Sequence, residues 1–196
     1  MSPLMRARPG IRPPGTWDPF ETGVRAIIGQ QVSISGANTI AARIVQRYGT
    51  PVPGLQALGL SHVFPPPSTL STADLSGLGL SSGRAAAVNA FARAVAESGI
   101  RLDRGSRLDQ LTAEITAVRG LGPWTAHYLA LRMGEPDAFP ATDLGLRRSL
   151  GEGPPVAPRE AEGAAECWRP WRAHAAAYLW LGDAYPPRGI GSPSND

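Results

Sequence analysis

The chain has 196 residues, enough for one domain with a sizeable core. Hydrophobic residues make up 42% and charged residues only 18%, a balance that favours a globular fold over disorder. No apolar run is long enough to span a membrane and no signal-peptide pattern opens the chain, so the sequence excludes membrane and secreted classes and predicts a cytoplasmic protein.

The side-chain inventory excludes several kinds of chemistry. A single cysteine, Cys167, excludes an internal disulfide, a four-cysteine zinc site and an iron–sulfur cluster. The three histidines have no metal-ligand spacing, so no zinc site is expected. All 19 basic residues are arginines, which leaves no lysine amine to form a Schiff base with a sugar aldehyde. The net charge of +3 suits a nucleic-acid partner without proving one.

The first predicted elements are two helices that follow a disordered lead-in. Residues 1–15 show no periodicity and are expected to be disordered. Order begins at Trp17-Asp18-Pro19-Phe20-Glu21, where the aspartate can cap a helix, the proline fits its first position and the glutamate stands at capping-box spacing. Either Ser33 or Ser35 caps the second helix, whose apolar residues recur on one face.

The middle of the chain predicts two helices around a first glycine turn. After a proline-rich loop, a short helix is expected near residues 72–75 and a longer one over 83–97. Gly77-Leu78-Gly79 lies between them. An isolated turn of this kind is only a weak indication of anion binding.

A second glycine turn joins two helices and could hold an anion. The first helix is expected over 108–118 and ends before Gly120-Leu121-Gly122, and Pro123 stands at the favoured first position of the second. The glycines let a phosphate approach the backbone, and the helix dipole favours negative charge there. Thr125, in the first turn, could add a hydroxyl. Taken alone, the pattern is more typical of an ordinary corner between two helices.

The last third of the chain predicts helices and no strand. Asp143 can cap a short helix that runs to Leu150, and two more helices are expected over 159–167 and 170–182. Because no alternating run predicts a strand, the expected fold class is all-α. The predicted organisation is a lead-in over 1–15, one helical domain over 16–185 and a disordered tail over 186–196.

Four motifs stand in order along the chain: residues 24–33, residues 111–132 around the glycine turn, Phe139-Pro140-Ala141-Thr142-Asp143, and residues 168–172 with 178–180. The second resembles the hairpin of the helix–hairpin–helix (HhH-GPD) DNA glycosylases of base-excision repair, and the third resembles the loop that carries the invariant aspartate of that superfamily. The first and the last resemble the signature and the closing helix of its 3-methyladenine DNA glycosylase II branch.

The resemblance implies that Asp143 is the catalytic carboxylate. Hydrolysis of an N-glycosidic bond passes through a transition state like an oxocarbenium ion, which a carboxylate beside the sugar stabilises. A position at a helix start favours the ionised form, because the dipole and the backbone amides attract the anion. Without the surrounding motifs, the same residue is an ordinary helix cap.

The resemblance also assigns Trp124, Tyr128 and Trp180 to the base pocket. A cationic alkylated base would gain about 0.5–2 kcal/mol from each good contact with an aromatic face. Trp124 and Tyr128 are four residues apart and share a helix face, although each alone could be a core residue. Relatives that also nick the backbone carry a lysine where this chain has Trp124, so no AP-lyase activity is expected.

Further contacts with DNA and with an ion are implied by the same resemblance. Gln31 stands where the family places a wedge that fills the gap left by the flipped nucleotide, although exposed glutamines at helix ends are common. The backbone carbonyls of Thr116, Val118 and Leu121 match those that hold a monovalent Na⁺ or K⁺ in related hairpins. No other cofactor is expected. Cys167 is expected to be a small buried hydrophobe, while packing or surface roles are expected for Trp168, Trp171 and Arg172.

The sequence therefore predicts a monofunctional glycosylase that binds double-stranded DNA as a monomer, near the nucleoid, and releases alkylated purines such as 3-methyladenine and 7-methylguanine. Two alternatives stay open. One is a non-catalytic helix–hairpin–helix module that binds DNA or lesions. The other is a glycosylase for uracil, oxidised guanine or another base, whose edges Gln30 or His127 could read.

The chain departs from the family at its start. Relatives usually carry an N-terminal β-rich domain before the helical core, and residues 1–15 stand in its place here. A naturally compact member and a truncated start are both compatible with the sequence. Because that domain can contribute a pocket residue, its absence affects the expected closure of the pocket and the substrate range.

Overall fold

The computed structural model describes residues 2–54, 56–103, 105–151 and 153–184. Helices dominate this part of the chain, which confirms the predicted all-α class, and within it strand is confined to one two-residue pairing. None of the helices in these ranges has the length and apolar character that a bilayer crossing requires. The elements are α1 Ser2–Ala7, α2 Pro19–Gly29, α3 Ile34–Tyr48, β1 Thr50–Pro51, β2 His62–Val63, α4 Pro67–Leu70, α5 Ser82–Ala96, α6 Leu108–Thr116, α7 Pro123–Met133, α8 Leu144–Leu150, α9 Pro158–Ala165 and α10 Arg172–Ala184.

The chain forms two compact units. The first, here called the hairpin unit, comprises residues 15–135, and the second, the terminal unit, comprises the residues before 15 together with those from 136 onward. Helix α7 ends at Gly134, whose φ of +99° is the left-handed conformation that glycine adopts at helix ends, and Pro136 follows two residues later. The single helical domain expected over 16–185 is thus divided at this point. Its last residue and the tail over 186–196 lie outside the described residues.

The first two helices of the hairpin unit begin at the residues that the sequence indicates. The carboxylate of Asp18 accepts hydrogen bonds from two backbone amides of α2 at 2.8 and 3.2 Å, and Pro19 is the first residue of that helix. Ser33, rather than Ser35, caps α3 through a 3.1 Å bond to a backbone amide. Local cap chemistry therefore fixes where α2 begins and where the chain turns into α3.

Helices α2, α5 and α7 form the core of the hairpin unit. Gly23 lies against Phe91 so closely that a Cβ atom at this glycine would stand 2.5 Å from the ring. Phe20 stacks on the same ring at 5.7 Å between centroids. The fully buried neighbours include Val24, Ile27, Ile28, Val88 and Leu129. This dense packing fixes the last turn of α2 relative to α7.

Helix α1 lies where the sequence predicts a disordered lead-in, so that prediction is wrong over residues 2–7. Arg8, directly after the helix, donates from Nη1 to the carbonyl of Leu181 on α10 at 3.1 Å. A helix of six residues is too short to show apolar periodicity, and in proteins such a helix is stabilised by tertiary packing. The apolar periodicity that indicates a helix was therefore absent from residues 2–7.

Two other predicted elements differ from the structure, and one pair of strands was not predicted. The short helix is α4, which begins at Pro67, and residues 72–75 are turn and irregular chain. The proline-rich loop hid this start, although proline is favoured at the first helical position. Helix α10 begins at Arg172 rather than at residue 170, after a single 3₁₀ turn over Glu166–Trp168. Strands β1 and β2 pair antiparallel, but two residues each are too few to show an alternating pattern.

Candidate functional site

The terminal unit brings Asp143 and Trp180 together. Asp143 is the N-cap of α8, and its Oδ1 accepts a hydrogen bond from the amide of Leu146 at 3.1 Å. The indole Nε1 of Trp180, on α10, donates to the same oxygen at 2.8 Å. Both side chains are half-buried. Because hydrogen bonds to a carboxylate are among the stronger ones in proteins, these two donors fix the orientation of the group.

The helix cap at Asp143 and its bond from Trp180 differ in whether the sequence can predict them. The helix cap at Asp143 is a local pattern and is confirmed. The bond from Trp180 joins residues 37 positions apart, so no local spacing could indicate it. Sequence reasoning predicted Trp180 only as a wall of a base pocket. In the structure its ring nitrogen holds the carboxylate.

The glycine turn of the hairpin unit has the backbone geometry predicted for it. Gly120 adopts a φ of +90°, and a Cβ atom there would stand 3.1 Å from the Cβ of Ala87 on α5. Gly122 is the N-cap of α7, and its carbonyl accepts from the amide of Thr125 at 3.0 Å. Within the described ranges no side chain caps this helix. An uncapped helix start next to a glycine is the arrangement that a phosphate needs.

Thr125 does not take the predicted position. It is only 1% exposed, and its hydroxyl oxygen accepts a hydrogen bond from the side-chain amide of Gln30 at 3.2 Å. The prediction that this hydroxyl meets a phosphate is therefore corrected, because the side chain faces α2 instead of solvent. The same bond engages the amide of Gln30, which sequence reasoning had considered for reading base edges.

Trp124 and Tyr128, both half-buried, stack on each other along α7. Their ring centroids are 5.1 Å apart and the ring planes differ by 8°. Arg132, one turn further on, donates from Nη1 to the hydroxyl of Tyr128 at 2.7 Å and places its guanidinium carbon 5.6 Å from the centre of that ring. Because the rings cover each other, a base would contact the pair from outside and could not insert between them. These three side chains line a cavity of about 330 Å³ with residues of α2 and α3.

Gln31 is exposed and has an unusual backbone. It follows the end of α2 with a φ of +59°, in the left-handed region that residues other than glycine seldom adopt. Gln30 and Gln31 line a cleft of about 710 Å³ together with Gly120 and two arginines, Arg84 and Arg119. Sequence reasoning did not identify these arginines. The one available signal was the weak turn Gly77-Leu78-Gly79, which precedes the helix that carries Arg84.

The three carbonyls considered for a monovalent cation lie at the end of α6 and in the turn after it. Thr116 is the last residue of that helix, and the carbonyl of Val118 accepts from the amide of Leu121 at 3.0 Å. Carbonyl oxygens at a helix C-terminus are hard donors of the kind that bind Na⁺ or K⁺. Among the described residues no group of three His, Cys, Asp or Glu side chains could hold a metal ion. The cation therefore stays a prediction that rests on carbonyl chemistry.

The exposure of two residues of the terminal unit depends on tertiary packing. Arg172, for which a packing or a surface role was expected, is only 5% exposed and pairs with Asp137. Cys167 is exposed, where burial was predicted. In both cases tertiary packing decides the exposure, and the local sequence carries no signal for it. Trp171, at 59% exposed, lies on the surface.

Comparison with protein families and with known proteins adds to this geometry. The model of a family described as HhH-GPD superfamily base excision DNA repair protein matches residues 24–173. A probable bifunctional transcriptional activator/DNA repair enzyme AlkA of Mycobacterium tuberculosis is 39% identical over 180 residues, which cover 91% of this chain and 36% of that protein.

Two further relatives are similar over nearly the whole chain. DNA-3-methyladenine glycosylase 2 of Escherichia coli is 35% identical over 188 residues, 94% of this chain and 64% of that protein. The solved structure of a 3-methyladenine DNA glycosylase from Archaeoglobus fulgidus superposes with a TM-score of 0.77 at 26% identity, covering 95% of this chain and 66% of that one. The chain thus spans 36% and 64% of the lengths of the two curated relatives described above.

Proposed function

Because the chain belongs to the HhH-GPD superfamily of base excision DNA repair proteins, we propose that it is a DNA glycosylase that removes alkylated bases. The membership confirms the resemblance that the motifs indicate. The observation that carries the activity is the carboxylate of Asp143, held at a helix start by the amide of Leu146 and the indole of Trp180. The relatives from Escherichia coli and Archaeoglobus fulgidus, which are named 3-methyladenine glycosylases, support the same reaction class.

Asp143 stabilises the positive charge that develops on the sugar. In the reaction the bond between C1′ and the base nitrogen breaks, and its electron pair leaves with the base. A water oxygen then bonds to C1′ and releases a proton. Alkylated purines such as 3-methyladenine and 7-methylguanine are cationic, so their departure neutralises them and needs no dedicated acid. Water is the only co-reactant, and the lysine-free chain performs no Schiff-base step, so the product is an intact strand with an abasic site.

The stacked pair Trp124 and Tyr128 contacts the flipped base. Aromatic faces attract cations by about 0.5–2 kcal/mol for each good contact. Arg132 places its guanidinium over the Tyr128 ring, a contact of the same cation–aromatic kind. The pair therefore favours flat, cationic bases over neutral ones.

The glycine turn and the cleft beside it bind the DNA backbone. Gly120 and Gly122 let a phosphate reach the start of α7, where the dipole favours an anion. Arg84 and Arg119 add positive charge to the cleft that contains Gln31. In this proposal Gln31 fills the gap in the duplex, and the carbonyls of Thr116, Val118 and Leu121 hold a monovalent cation.

The test is base release from duplexes that carry 3-methyladenine, 7-methylguanine, uracil or 8-oxoguanine, under single-turnover conditions. Asp143→Asn is expected to lower the rate on alkylated bases by about 100- to 1,000-fold, with the affinity for an abasic-site duplex unchanged. Asn caps helices as well as Asp does, so the fold is retained. Asp18→Asn, the same change at the cap of α2, is the matched control and should leave the rate unchanged.

Each outcome has a definite meaning. Equal rates for Asp143→Asn and the unaltered protein would refute the role of the carboxylate. Binding of abasic-site DNA without release of any base would favour the non-catalytic module. Release of uracil or 8-oxoguanine alone would replace the substrate class.

A further inference from the structure

A cluster of ion pairs surrounds the start of α10 in the terminal unit. Arg172, 5% exposed, donates to Asp137 through two bonds, Nε to Oδ1 at 2.8 Å and Nη2 to Oδ2 at 2.8 Å. Arg169 also pairs with Asp137, and Glu166 accepts from both arginines. A bidentate contact between an arginine and a carboxylate fixes the geometry of both groups. Burial of such a pair costs solvation free energy, so Arg172 and Asp137 are held in place at a cost to stability.

The cluster fastens the start of the loop that leads to Asp143. The amide of Ala173 donates to the carbonyl of Pro136 at 2.9 Å, directly beside the pair of Arg172 and Asp137. Two consecutive residues of α10 thus hold two consecutive residues of the loop. This end of the loop is fixed by backbone and side-chain bonds together.

The far end of the same loop is fastened to the same helix. Trp180, eight residues after Arg172, lies about 12 Å further along α10 at 1.5 Å per residue, and it donates to Asp143. Between the two ends the loop is folded tightly: the amide of Asp143 donates to the carbonyl of Pro140 at 2.8 Å, and Phe139 is buried. The loop is therefore a compact segment attached at both ends to one rigid helix.

We propose that Arg172 and Asp137 are positioning residues for Asp143: their paired contact sets the place of the catalytic carboxylate along α10. The proposal rests on the proposed function for the role of Asp143. Neither residue touches the substrate in this proposal. A displacement of a catalytic group by about 1 Å can lower a rate roughly 100-fold. Loosening the start of the loop at Asp137 therefore slows the reaction while DNA binding persists.

The test compares Arg172→Lys and Asp137→Asn with a matched control, Arg169→Lys. Lysine keeps the charge of Arg172 but cannot form two parallel hydrogen bonds to the carboxylate. Asparagine keeps the size of Asp137 but loses its charge. Arg169 contacts the same two acids from a half-exposed position, so its replacement should change little. Two readouts are measured: the single-turnover rate of base release, and the NMR signal of the Trp180 indole N–H, assigned with Trp180→Phe.

Both test variants should lower the rate by about tenfold or more, corresponding to the displacement argument, with affinity for an abasic-site duplex within about twofold. The indole signal of Trp180 should move upfield and exchange faster with water, because its acceptor is no longer held in place. The signals of Trp17 and Trp124, in the hairpin unit, serve as internal references and should stay. Arg169→Lys should change neither readout.

Unchanged Trp180 signals in either folded variant would overturn the proposal, whatever the rate. An equal loss of rate in Arg169→Lys would also overturn it, because that pattern indicates general destabilisation. If Arg172→Lys fails to fold, Asp137→Asn decides the question alone. If the unaltered protein releases no base, the proposed function fails, and the indole signal still shows whether the ion pair positions Asp143.

Discussion

Gln31 and Ser98 are the residues other than glycine that adopt a left-handed backbone in the described part of the chain, with φ of +59° and +60°. In this region the Cβ atom approaches the following carbonyl, at a cost of about 1–2 kcal/mol. Ser98 follows the end of α5, where such a residue ends a helix. Gln31 is exposed and lines the cleft that contains Arg84 and Arg119, so its strained backbone lies in a candidate binding site.

Gln31→Gly should therefore raise the stability of the protein and lower its activity. Glycine adopts a positive φ without the clash, so the free energy of unfolding should rise by up to about 1 kcal/mol. The rate of base release should fall, because the side chain that we propose fills the duplex gap is lost. Chemical denaturation and single-turnover kinetics measure the two effects.

Ser98→Gly is the control for that change. It relieves the same strain at a site far along the sequence from the cleft and should stabilise the protein without affecting the rate. If Gln31→Gly keeps the full rate, Gln31 is not the wedge. If neither variant gains stability, the strain argument is wrong.

Single residues could be predicted only where their chemistry is local. Asp143 was found as a helix cap because its partner is three residues away. The burial of Thr125 and of Arg172, and the exposure of Cys167, depend on which helix packs above them, and no spacing along the chain encodes this. Family resemblance gave Trp180 a role in the pocket but could not show its bond to Asp143.

At the scale of elements, Gly120 and Gly122 have different structural roles in the turn before α7. Gly120 is required by conformation and by space, because its φ is +90° and Ala87 lies 3.1 Å from a Cβ atom there. Gly122 has an ordinary φ of −129°, and a Cβ atom there would meet open space. Only the approach of a ligand can therefore demand glycine at position 122.

Alanine substitutions should separate these roles. Gly120→Ala should destabilise the protein by about 1–2 kcal/mol, because alanine is strained in the left-handed region. Gly122→Ala should leave the unfolding transition in place and weaken DNA binding, because the new methyl group stands in the path of a phosphate. Denaturation midpoints and binding to undamaged duplex give the two measurements. Full DNA affinity in Gly122→Ala would contradict a phosphate site at the start of α7.

Helices could be predicted where a cap or a proline marks the start, as at Asp18 and Pro123. Pro3 stands in the first turn of α1, but that helix is too short to show apolar periodicity, and α10 begins two residues after Pro170. The start of α4 also carries a proline, Pro67, but the surrounding prolines obscured it. The errors in helix starts arose from tertiary packing or from neighbouring prolines. Helical periodicity itself predicted the longer helices correctly.

At the scale of the molecule, several acids are held in their charged form by neighbouring arginines. Hydrogen bonding from Arg169 lowers the pKa of Glu166, and hydrogen bonding from Arg107 lowers the pKa of Asp109. A lowered pKa means that the unfolded chain binds protons more readily than the folded one. The stability these pairs contribute is therefore present above the ordinary pKa values of 4.5 and 3.8 and is lost as the pH falls through the lower folded values.

The free energy of unfolding should accordingly fall as the pH is lowered below about 4.5, the ordinary value for Glu166. Glu166→Gln should reduce this dependence, and Glu162→Gln, an exposed change on α9, should not. Both groups of the Glu166 pair are exposed, so the difference is small and should shrink further in salt. A stability that rises on acidification would contradict the sign of these pKa shifts.

The family resemblance extends from Trp17 to Trp180, so its motifs occur in both compact units. The order of the motifs indicated the family but not the boundary between the units. The signals at that boundary, Gly134 and Pro136, are those of an ordinary helix end. Whether a helix end is also a unit boundary depends on contacts between distant segments, and a single sequence does not report those.

The exposed thiol of Cys167 makes the protein unusually simple to label. The chain has one cysteine and no lysine, so a maleimide dye reacts at one side chain and an amine-reactive dye reacts at the N-terminal amine alone. Two colours can therefore be attached without any substitution. Single-molecule fluorescence could then test whether the unaltered protein scans a duplex and halts at a lesion.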